Sequence, residues 1–521
     1  MSLNPKSEIR NPRLSRGVVY LVGAGPGDPK LLTLKALELL RQADVVVYDH
    51  LVSPEILKHC PQGAKSVYVG KKPKTHNISQ EVINARLIRE AKSGKCVVRL
   101  KGGDPMLFGR GGEEALALAK SRIRFEIVPG VTSAIAVPAY AGIPVTHREL
   151  SSSVAVITGH EDPTKAFPQI RWGALSAAVD TLVFLMSVGN LPNIVERLKQ
   201  ASRPKDEPCA VIEQGTRSSQ RVVTGSLDTI ARQAAQASIR PPAVFVVGDV
   251  VSLRDRLAWF ETKPLFGTRV LVTRSSEKAN SLMEPLETLG AEVECLPVIS
   301  LAAVHTNGLF REAIRTLSKT DWVFFTSPEG MGWFKRLLGS MRKDIRVLAG
   351  CRIGAIGPAT AAAIEAAGVN VDYVPNRFNQ QRMLQEFPRR FSVGKRAVIF
   401  SARGSRDVLE QGLRQRGMTV TKVSIYQAVM PKNVAKRLSE LLERPYDLVS
   451  VTSASCVEHL AQALAMSGQS QLMKNLHFAS IGPVTSRAVR ARGGCVVLEA
   501  SVSTIEGLVA AISRYVRRQH S

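Results

Sequence analysis

The second half of the chain repeats itself, and an ordered repeat of that length leaves few folds open. Residues 269–301, RVLVTRSSEKANSLMEPLETLGAEVECLPVISL, resemble 396–428, RAVIFSARGSRDVLEQGLRQRGMTVTKVSIYQA. DWVFFTSPEGMGWFKRLL (321–338) resembles DLVSVTSASCVEHLAQAL (447–464), and RIGAIGPATAAAIEAAGVNV (352–371) resembles HFASIGPVTSRAVRARGGCV (477–496). The three matches keep their order at one offset of about 126 residues, which chance does not readily supply. Each segment reads as an apolar strand, a short polar turn and a helix. Two similar doubly wound, parallel-sheet α/β lobes follow, with a cleft between them.

The turns of these lobes carry the chemistry. Thr326-Ser327 and Thr452-Ser453 follow strands, and Gly357-Pro358 and Gly482-Pro483 precede helices. Backbone N–H groups and hydroxyls at helix starts suit carboxylates. Ser and Thr at such places also serve as ordinary N-caps. Each turn alone reads as a cap; four matched turns together favour anion binding. No nucleophile–base pair or metal-ligand set stands out in this half, and His305, His459 and His477 are isolated. A catalyst built this way acts by holding a reactive, highly charged substrate in one conformation.

The first half ends where GDVVSLRDRLAWFETKPLFGTRVLVTR runs from a last apolar strand through a polar helix to Pro264, so the boundary is placed near Thr262–Phe266. Its opening strand leads into VGAGPGDP (22–29) and then a helical pattern. Strand, glycine turn and helix suggest a phosphate cradle. Asp49, after the next apolar run, is placed where a ribose-binding carboxylate would stand. The spacing argues against a dinucleotide. Gly23, Gly25 and Gly27 give G-x-G-x-G, Asp28 takes the third glycine's place, Pro26 has no N–H to offer, and Pro29 delays the helix. A loop packed against another small molecule fits better. RLKGGDPMLFGRGGEE (99–114), VPGVTSA (128–134), GIPVTHRE (142–149) and TGHEDP (158–163) add further turns after strands.

The chain's 521 residues imply three or four domains, and 45% apolar with 22% charged residues marks it as globular. No apolar run reaches the roughly 18 residues a membrane span needs. Residues 1–16 are polar and basic, read as a disordered tail rather than a secretory signal. Seven scattered cysteines without a C-x-x-C indicate a reducing, cytoplasmic setting with no disulfide framework and no metal site. The net charge of +26 raises nucleic acid first. Yet the basic residues are spread out, aromatics are only 5%, and no arginine-rich tract occurs. A polyanionic small substrate is the more specific reading, with neither nucleic acid nor membrane as partner.

Residues about 17–262 resemble uroporphyrinogen-III C-methyltransferases of the tetrapyrrole methylase family. The likeness rests on VGAGPGDPKLLTLKA, VVVYDHLVS, YVGKK, VRLKGGDPMLFGRGGEE, VPGVTSA, GIPVTHR, TGH, IEQGT and PAVFVVGDVV. Residues about 266–521 resemble uroporphyrinogen-III synthases through the duplication, TSPEG, AIGPAT, the tyrosine of VSIYQA, TSAS and SIGPVT. In that half, one lobe would take about 266–301 with 430–521, the other about 302–428. The order suits a fusion whose second half makes the substrate of its first.

The resemblance implies S-adenosyl-L-methionine as the cofactor. Pro26, Gly102, Gly103, Asp104, Leu107, Thr132, Ser133, Met186, Gly215 and Ala243 would surround it. Taken alone, Met186 in TLVFLM reads as core. Asp49 would be the general base and Lys71 the proton donor for methylation of uroporphyrinogen III at C2 and C7 to precorrin-2; unaided, they read as a capping Asp and a surface Lys. Two departures from the family pattern are Leu185-Met186-Ser187, where an aromatic residue and a glycine often flank the methionine, and Thr132-Ser133 in place of Thr-Ala. Uroporphyrinogen carries eight carboxylates, which Arg148 and Arg274 would steer or hold. In the synthase-like half the resemblance implies cyclisation of hydroxymethylbilane, with Tyr426 assisting hydroxyl loss. Thr326, Ser327, Thr452, Ser453, Gly482 and Thr485 would hold carboxylates. A homodimer through the methylase-like half is also implied. Sirohaem synthases carry a dehydrogenase–chelatase segment before the methylase; about 16 residues precede it here, so NAD-dependent oxidation and iron insertion are not expected. Two alternatives stand beside this reading: a methylase fused to a non-catalytic tetrapyrrole-binding module, and an RNA-associated methyltransferase.

Overall fold

A computed structural model describes residues 17–70, 79–160, 170–304, 307–376 and 380–520. The expected tail at 1–16 and Lys71 lie outside these residues. The chain divides into two compact units. One takes in residues up to Arg269 together with Pro285–Glu292 and the stretch from Ser513; the other comprises Val270–Glu284 and Val293–Ile512.

The first unit holds two five-stranded sheets. β1 (Val18–Gly23), β2 (Val45–Tyr48), β3 (Lys65–Tyr68), β4 (Cys96–Lys101) and β5 (Arg124–Val128) form a wholly parallel sheet in the order β3-β2-β4-β1-β5. β1 and β4 are buried throughout, as the central strands of a sheet covered on both faces must be; β1 reads as a continuous apolar run, and β4 is apolar except for Arg99 and Lys101. Because the strands are parallel, the ends of β1, β2, β4 and β5 open along one edge, where the glycine turns begin. The helix after β1 starts only at Leu34, with Thr33 Oγ1 accepting from Ala36 N. Pro29 has delayed it through a short 3-10 turn, Pro29–Leu31.

The second sheet is mixed: β6 (Val154–Thr158), β7 (Thr181–Leu185), β8 (Pro208–Glu213), β9 (Arg221–Ser226) and β10 (Ala243–Val247), in the order β6-β7-β10-β8-β9. β10 runs antiparallel to β7 and β8, with Val244 opposite Leu185 and Ala243 opposite Glu213. This register puts the end of β7, the end of β8 and the start of β10 on one edge.

The second unit weaves two more sheets. β11 (Arg269–Val272) and β12 (Glu292–Cys295) begin the third. β13 (Ser300–Ala303), β14 (Trp322–Phe325), β15 (Arg352–Ala355), β16 (Arg396–Ala402) and β17 (Thr419–Val429) make the fourth, in the order β13-β17-β16-β14-β15. β18 (Leu448–Val451), β19 (His477–Ser480) and β20 (Cys495–Glu499) return to complete the third as β12-β11-β18-β19-β20. The fourth sheet is parallel except for its edge strand β13, which pairs antiparallel with β17. The chain therefore joins the fourth sheet at Ser300, slightly before the expected change at 301–302, because Pro297 cannot continue the preceding strand. The repeat is visible in backbone angles: Ser327 has φ −166° and ψ 158°, and Ser453 has φ −162° and ψ 158°.

Candidate functional site

At the edge of the first sheet, three loops are held together by close backbone contacts and one carboxylate. Gly25 and Gly103 exchange hydrogen bonds, N–H to O at 3.2 Å and 2.7 Å, and Ala24 N donates to Lys101 O at 2.7 Å. Asp104 ties in the third loop: its Oδ2 accepts from Gly130 N at 3.0 Å, while Oδ1 accepts from Met106 N at 2.7 Å. A Cβ on Gly23 would lie 2.5 Å from Gly130 Cα, and one on Gly130 would lie 2.3 Å from Gly103 O. Only glycine permits this approach. Thr132 caps the helix Ser133–Tyr140 by accepting from Ala134 N at 3.2 Å. Gly103 faces the Thr132 and Ser133 backbone.

The edge of the second sheet meets this cradle. Asp28 N donates to Thr216 Oγ1 at 3.0 Å, and Tyr140 OH donates to Asp28 Oδ2 at 2.9 Å. Gly215 lies against Val137, and Leu107 packs into the second sheet's core. Met186 stands just past β7 with φ 57° and 54% exposure. The core reading of Met186 is therefore replaced: the strand stops at Leu185, and the thioether is presented at the edge shared with Gly215 and Ala243. A non-glycine residue with left-handed backbone and an exposed apolar side chain is a common mark of a functional position.

Asp49 follows β2, and its Oδ1 accepts from Leu51 N at 3.2 Å. Leu51 in turn closes on Gly102, where an added Cβ would lie 2.5 Å from Leu51 Cβ. The other carboxylate oxygen faces Arg99 Nη2 at 3.3 Å. Arg99 belongs to a buried charge cluster. Glu114 Oε1, wholly buried, accepts from Arg99 Nε at 3.1 Å, Lys101 Nζ at 3.0 Å and Gln80 Nε2 at 3.2 Å. Burial first, and then the Arg99 charge, pulls the Lys101 ammonium below the ordinary lysine range. Two buried cations thus share one carboxylate, and one of them, Arg99, reaches out to Asp49. Arg148 lies exposed in the turn closed by the His147–Ser151 bridge, and no contact joins it to the cradle among the described residues.

In the second unit Ser327 Oγ accepts from Gly330 N at 3.0 Å and lies 2.8 Å from Tyr426 OH. Its repeat partner Ser453 accepts from Cys456 N at 3.2 Å. Both serines are therefore helix caps, and Ser327 is also bound to the predicted tyrosine. Burial raises the Tyr426 phenol above its ordinary range, partly offset by Ser327. Thr326 Oγ1 donates to Phe400 O at 3.4 Å. Gly482 N donates to Ser480 Oγ at 3.3 Å at the start of the helix Pro483–Ala491, in which Thr485 is buried. Thr452 follows β18 directly. Arg274 is half-buried and donates to Ser281 Oγ at 3.0 Å; burial holds its guanidinium below the usual arginine range.

Residues 18–231 match the family model described as tetrapyrrole (corrin/porphyrin) methylases, and residues 280–510 match uroporphyrinogen-III synthase HemD. The chain is 39% identical over 446 residues to porphyrin biosynthesis protein HemD of Ruminiclostridium josui, covering 85% of this chain and 88% of that one. The chain belongs to the tetrapyrrole methylases, joined to a uroporphyrinogen-III synthase domain. Its methylase half is 54% identical over 241 residues to the S-adenosyl-L-methionine-dependent uroporphyrinogen III methyltransferase of Methanosarcina barkeri, 46% of this chain and 94% of that one. It is also 43% identical to the uroporphyrin-III C-methyl transferase of Thermus thermophilus crystallised with S-adenyl homocysteine, which covers 46% of this chain and all of that one with a TM-score of 0.40.

In the methylase half the structure brings together Pro26, Gly102, Gly103, Asp104, Thr132 and Ser133 along one sheet edge, and Met186, Gly215 and Ala243 along another. Reading the sequence missed the Arg99–Lys101–Glu114 cluster, for which R-x-K inside an otherwise apolar strand was the available signal. It also missed Arg110, whose backbone is left-handed at φ 59° and whose guanidinium grips Glu113 at 2.6 Å, and Thr216, at φ 69° a strained β-branched residue.

Proposed function

We propose that the methylase half transfers methyl groups from S-adenosyl-L-methionine to C2 and C7 of uroporphyrinogen III, giving precorrin-2. The synthase half cyclises hydroxymethylbilane to uroporphyrinogen III, so one polypeptide makes and then methylates the same macrocycle. The observation that carries the methylase reading is the glycine cradle. Its backbone is packed too closely for any Cβ at Gly23 or Gly130, yet its rim is built from turns that leave amides and carbonyls to meet a small polar molecule. When bound, S-adenosyl-L-methionine supplies an electrophilic methyl on a cationic sulfur. Pro26, Gly102, Gly103 and Asp104 would hold it from one rim, Leu107, Thr132 and Ser133 from the base, and Met186, Gly215 and Ala243 from the other rim. Asp49, steadied by Arg99, takes the proton that must leave the methylated ring system. Lys71 is assigned proton donation from the family pattern, and Arg148 carboxylate binding. The enzyme works as a cytoplasmic homodimer through this half.

Asp49→Asn keeps the side chain's shape and removes the base. It should lower methylation about 10²–10³-fold while calorimetric affinity for S-adenosyl-L-methionine stays within about twofold. An equal fall in donor affinity would make Asp49 a binding residue instead.

In the synthase half, Thr326, Ser327, Thr452, Ser453, Gly482, Thr485 and Arg274 hold substrate carboxylates, and Tyr426 assists departure of the terminal hydroxyl. Its raised pKa keeps the phenol protonated through neutral and mildly alkaline pH, so it can donate there. Tyr426→Phe should slow type III product formation by roughly tenfold or less, because one neutral hydrogen bond is worth about 0.5–1.5 kcal/mol and positioning supplies the rest. Complete loss of turnover would contradict that division of labour.

A further inference from the structure

The turn after β8 holds two non-glycine residues in the left-handed region, Gln214 at φ 51° and Thr216 at φ 69°, with Gly215 between them. Gly215 is glycine for reasons of space: an added Cβ would lie 2.4 Å from Val137 Cγ1. Thr216 is β-branched and 3% exposed, so its backbone conformation is costly and persists only because its surroundings fix it. We propose that Thr216 is a positioning residue for methyl transfer. It acts as a latch, with Tyr140 as a second tie, that holds the first glycine loop against the second-sheet edge so that both rims grip the methyl donor. The proposal rests on the methyl-transfer reading above and deepens it.

The latch joins residues 188 positions apart, Asp28 N donating to Thr216 Oγ1 at 3.0 Å. Gly27 makes room for it, since a Cβ there would stand 2.8 Å from the same oxygen. Asp28 is tied from two further sides: its Oδ2 accepts from Tyr140 OH at 2.9 Å and its Oδ1 from Lys30 N at 2.8 Å. Burial, and then the Asp28 charge, raises the Tyr140 phenol, so it keeps the proton it donates. On the other side of the latch, Thr216 N donates to Gln220 Oε1 at 2.9 Å, and Gln214 N donates to Pro242 O at 3.0 Å. Gln220 is 4% exposed; its Nε2 donates to Glu261 Oε1 at 2.8 Å, and Glu261 pairs with Arg254 at 2.8 Å. These bonds over-determine the turn, which is how strained backbone is maintained at a ligand clamp.

The residues so joined are neighbours of two proposed donor contacts. Pro26 lies two positions before Asp28, and Gly215 stands immediately before Thr216. One hydrogen bond therefore sets the separation of contacts that come from different sheets. A glycine at 216 would hold the same backbone without strain, but it has no acceptor for Asp28 N. The threonine keeps the strain and supplies the acceptor, which ties its cost to the loop it holds.

The test uses the full chain, titration calorimetry with S-adenosyl-L-methionine, and methylation of supplied uroporphyrinogen III at varied donor concentration. Thr216→Val keeps the branched side chain and deletes the acceptor. It should raise the donor's Kd and KM about tenfold and leave kcat at saturating donor within about threefold, the effect of one unmade bond to a part-buried amide. Thr216→Ser restores the hydroxyl and should bring both constants back to within about twofold of wild type, a rescue that a role in packing alone would not give. Tyr140→Phe keeps the ring against Trp259 and Phe260 and removes only the second tie. It should raise the donor's Kd about fivefold, and it decides the question if Thr216→Val folds poorly. Normal donor affinity in both Thr216→Val and Tyr140→Phe, with methylation intact, would overturn the latch and leave methyl transfer standing. Equal weakening by Val and Ser at 216, or a lowered melting temperature with an unchanged Kd, would overturn it in the same way. A wild-type protein that binds no S-adenosyl-L-methionine would overturn both.

Discussion

Gly130→Ala is expected to remove detectable S-adenosyl-L-methionine binding. The added methyl would stand 2.3 Å from Gly103 O and 2.7 Å from Gly23 Cα, and both neighbours are backbone atoms that no rotamer change can move. Relief requires pulling apart the ends of β1, β4 and β5, which also breaks the Asp104–Gly130 bond at 3.0 Å and strains the Gly25–Gly103 exchange. Forcing a methyl into such a contact costs about 1–3 kcal/mol, and more where the backbone cannot yield. Because the displaced atoms are the ones proposed to line the donor's pocket, affinity should fall by at least about 100-fold, equivalent to ~2.7 kcal/mol. Titration calorimetry reads this directly. Gly112→Ala is the control, since an added Cβ there meets nothing within 4 Å and the position is helical. A Gly130→Ala protein that binds the donor normally would show that the close approach has no part in the pocket.

Glu114→Ala is expected to have the largest effect on stability. The side chain is fully buried, and its Oε1 serves both Arg99 and Lys101, which are about as deeply buried. Its removal leaves two cations in a low-dielectric interior with only Asp49, at 3.3 Å from Arg99, as a remaining anion. Breaking a buried pair from one side costs about 3–5 kcal/mol, a large share of a domain's whole stability. Thermal denaturation should show that loss, and methylation should fall with it, because Glu114 no longer fixes the Arg99 side chain that steadies Asp49. Neighbouring Glu113→Ala should change stability by no more than about 1 kcal/mol, since its pair with Arg110 is exposed. Equal effects from the two substitutions would mean that the buried cluster is not a structural unit.

What was legible in the sequence was local or repetitive. The duplication announced paired sheets, and its serine turns returned with nearly identical angles. The glycine spacing and Pro26 argued against a dinucleotide loop, and the backbone is shaped by the same residues: φ is 76° at Gly25, and Asp28 turns back to Thr216 and Tyr140. What was hidden depended on partners distant in the chain. The charges of Arg99 and Glu114 are 15 positions apart and meet only when a helix folds onto β4. Met186 looked like core because TLVFLM gives no sign that the strand ends one residue early in a left-handed turn.

One incubation tests the whole account: purified protein with hydroxymethylbilane, with and without S-adenosyl-L-methionine, followed by separation of the porphyrin isomers and mass analysis. Type III uroporphyrinogen without the donor and precorrin-2 with it are the predicted products. Type I uroporphyrinogen, the product of unassisted ring closure, with no methylated species under either condition would contradict it.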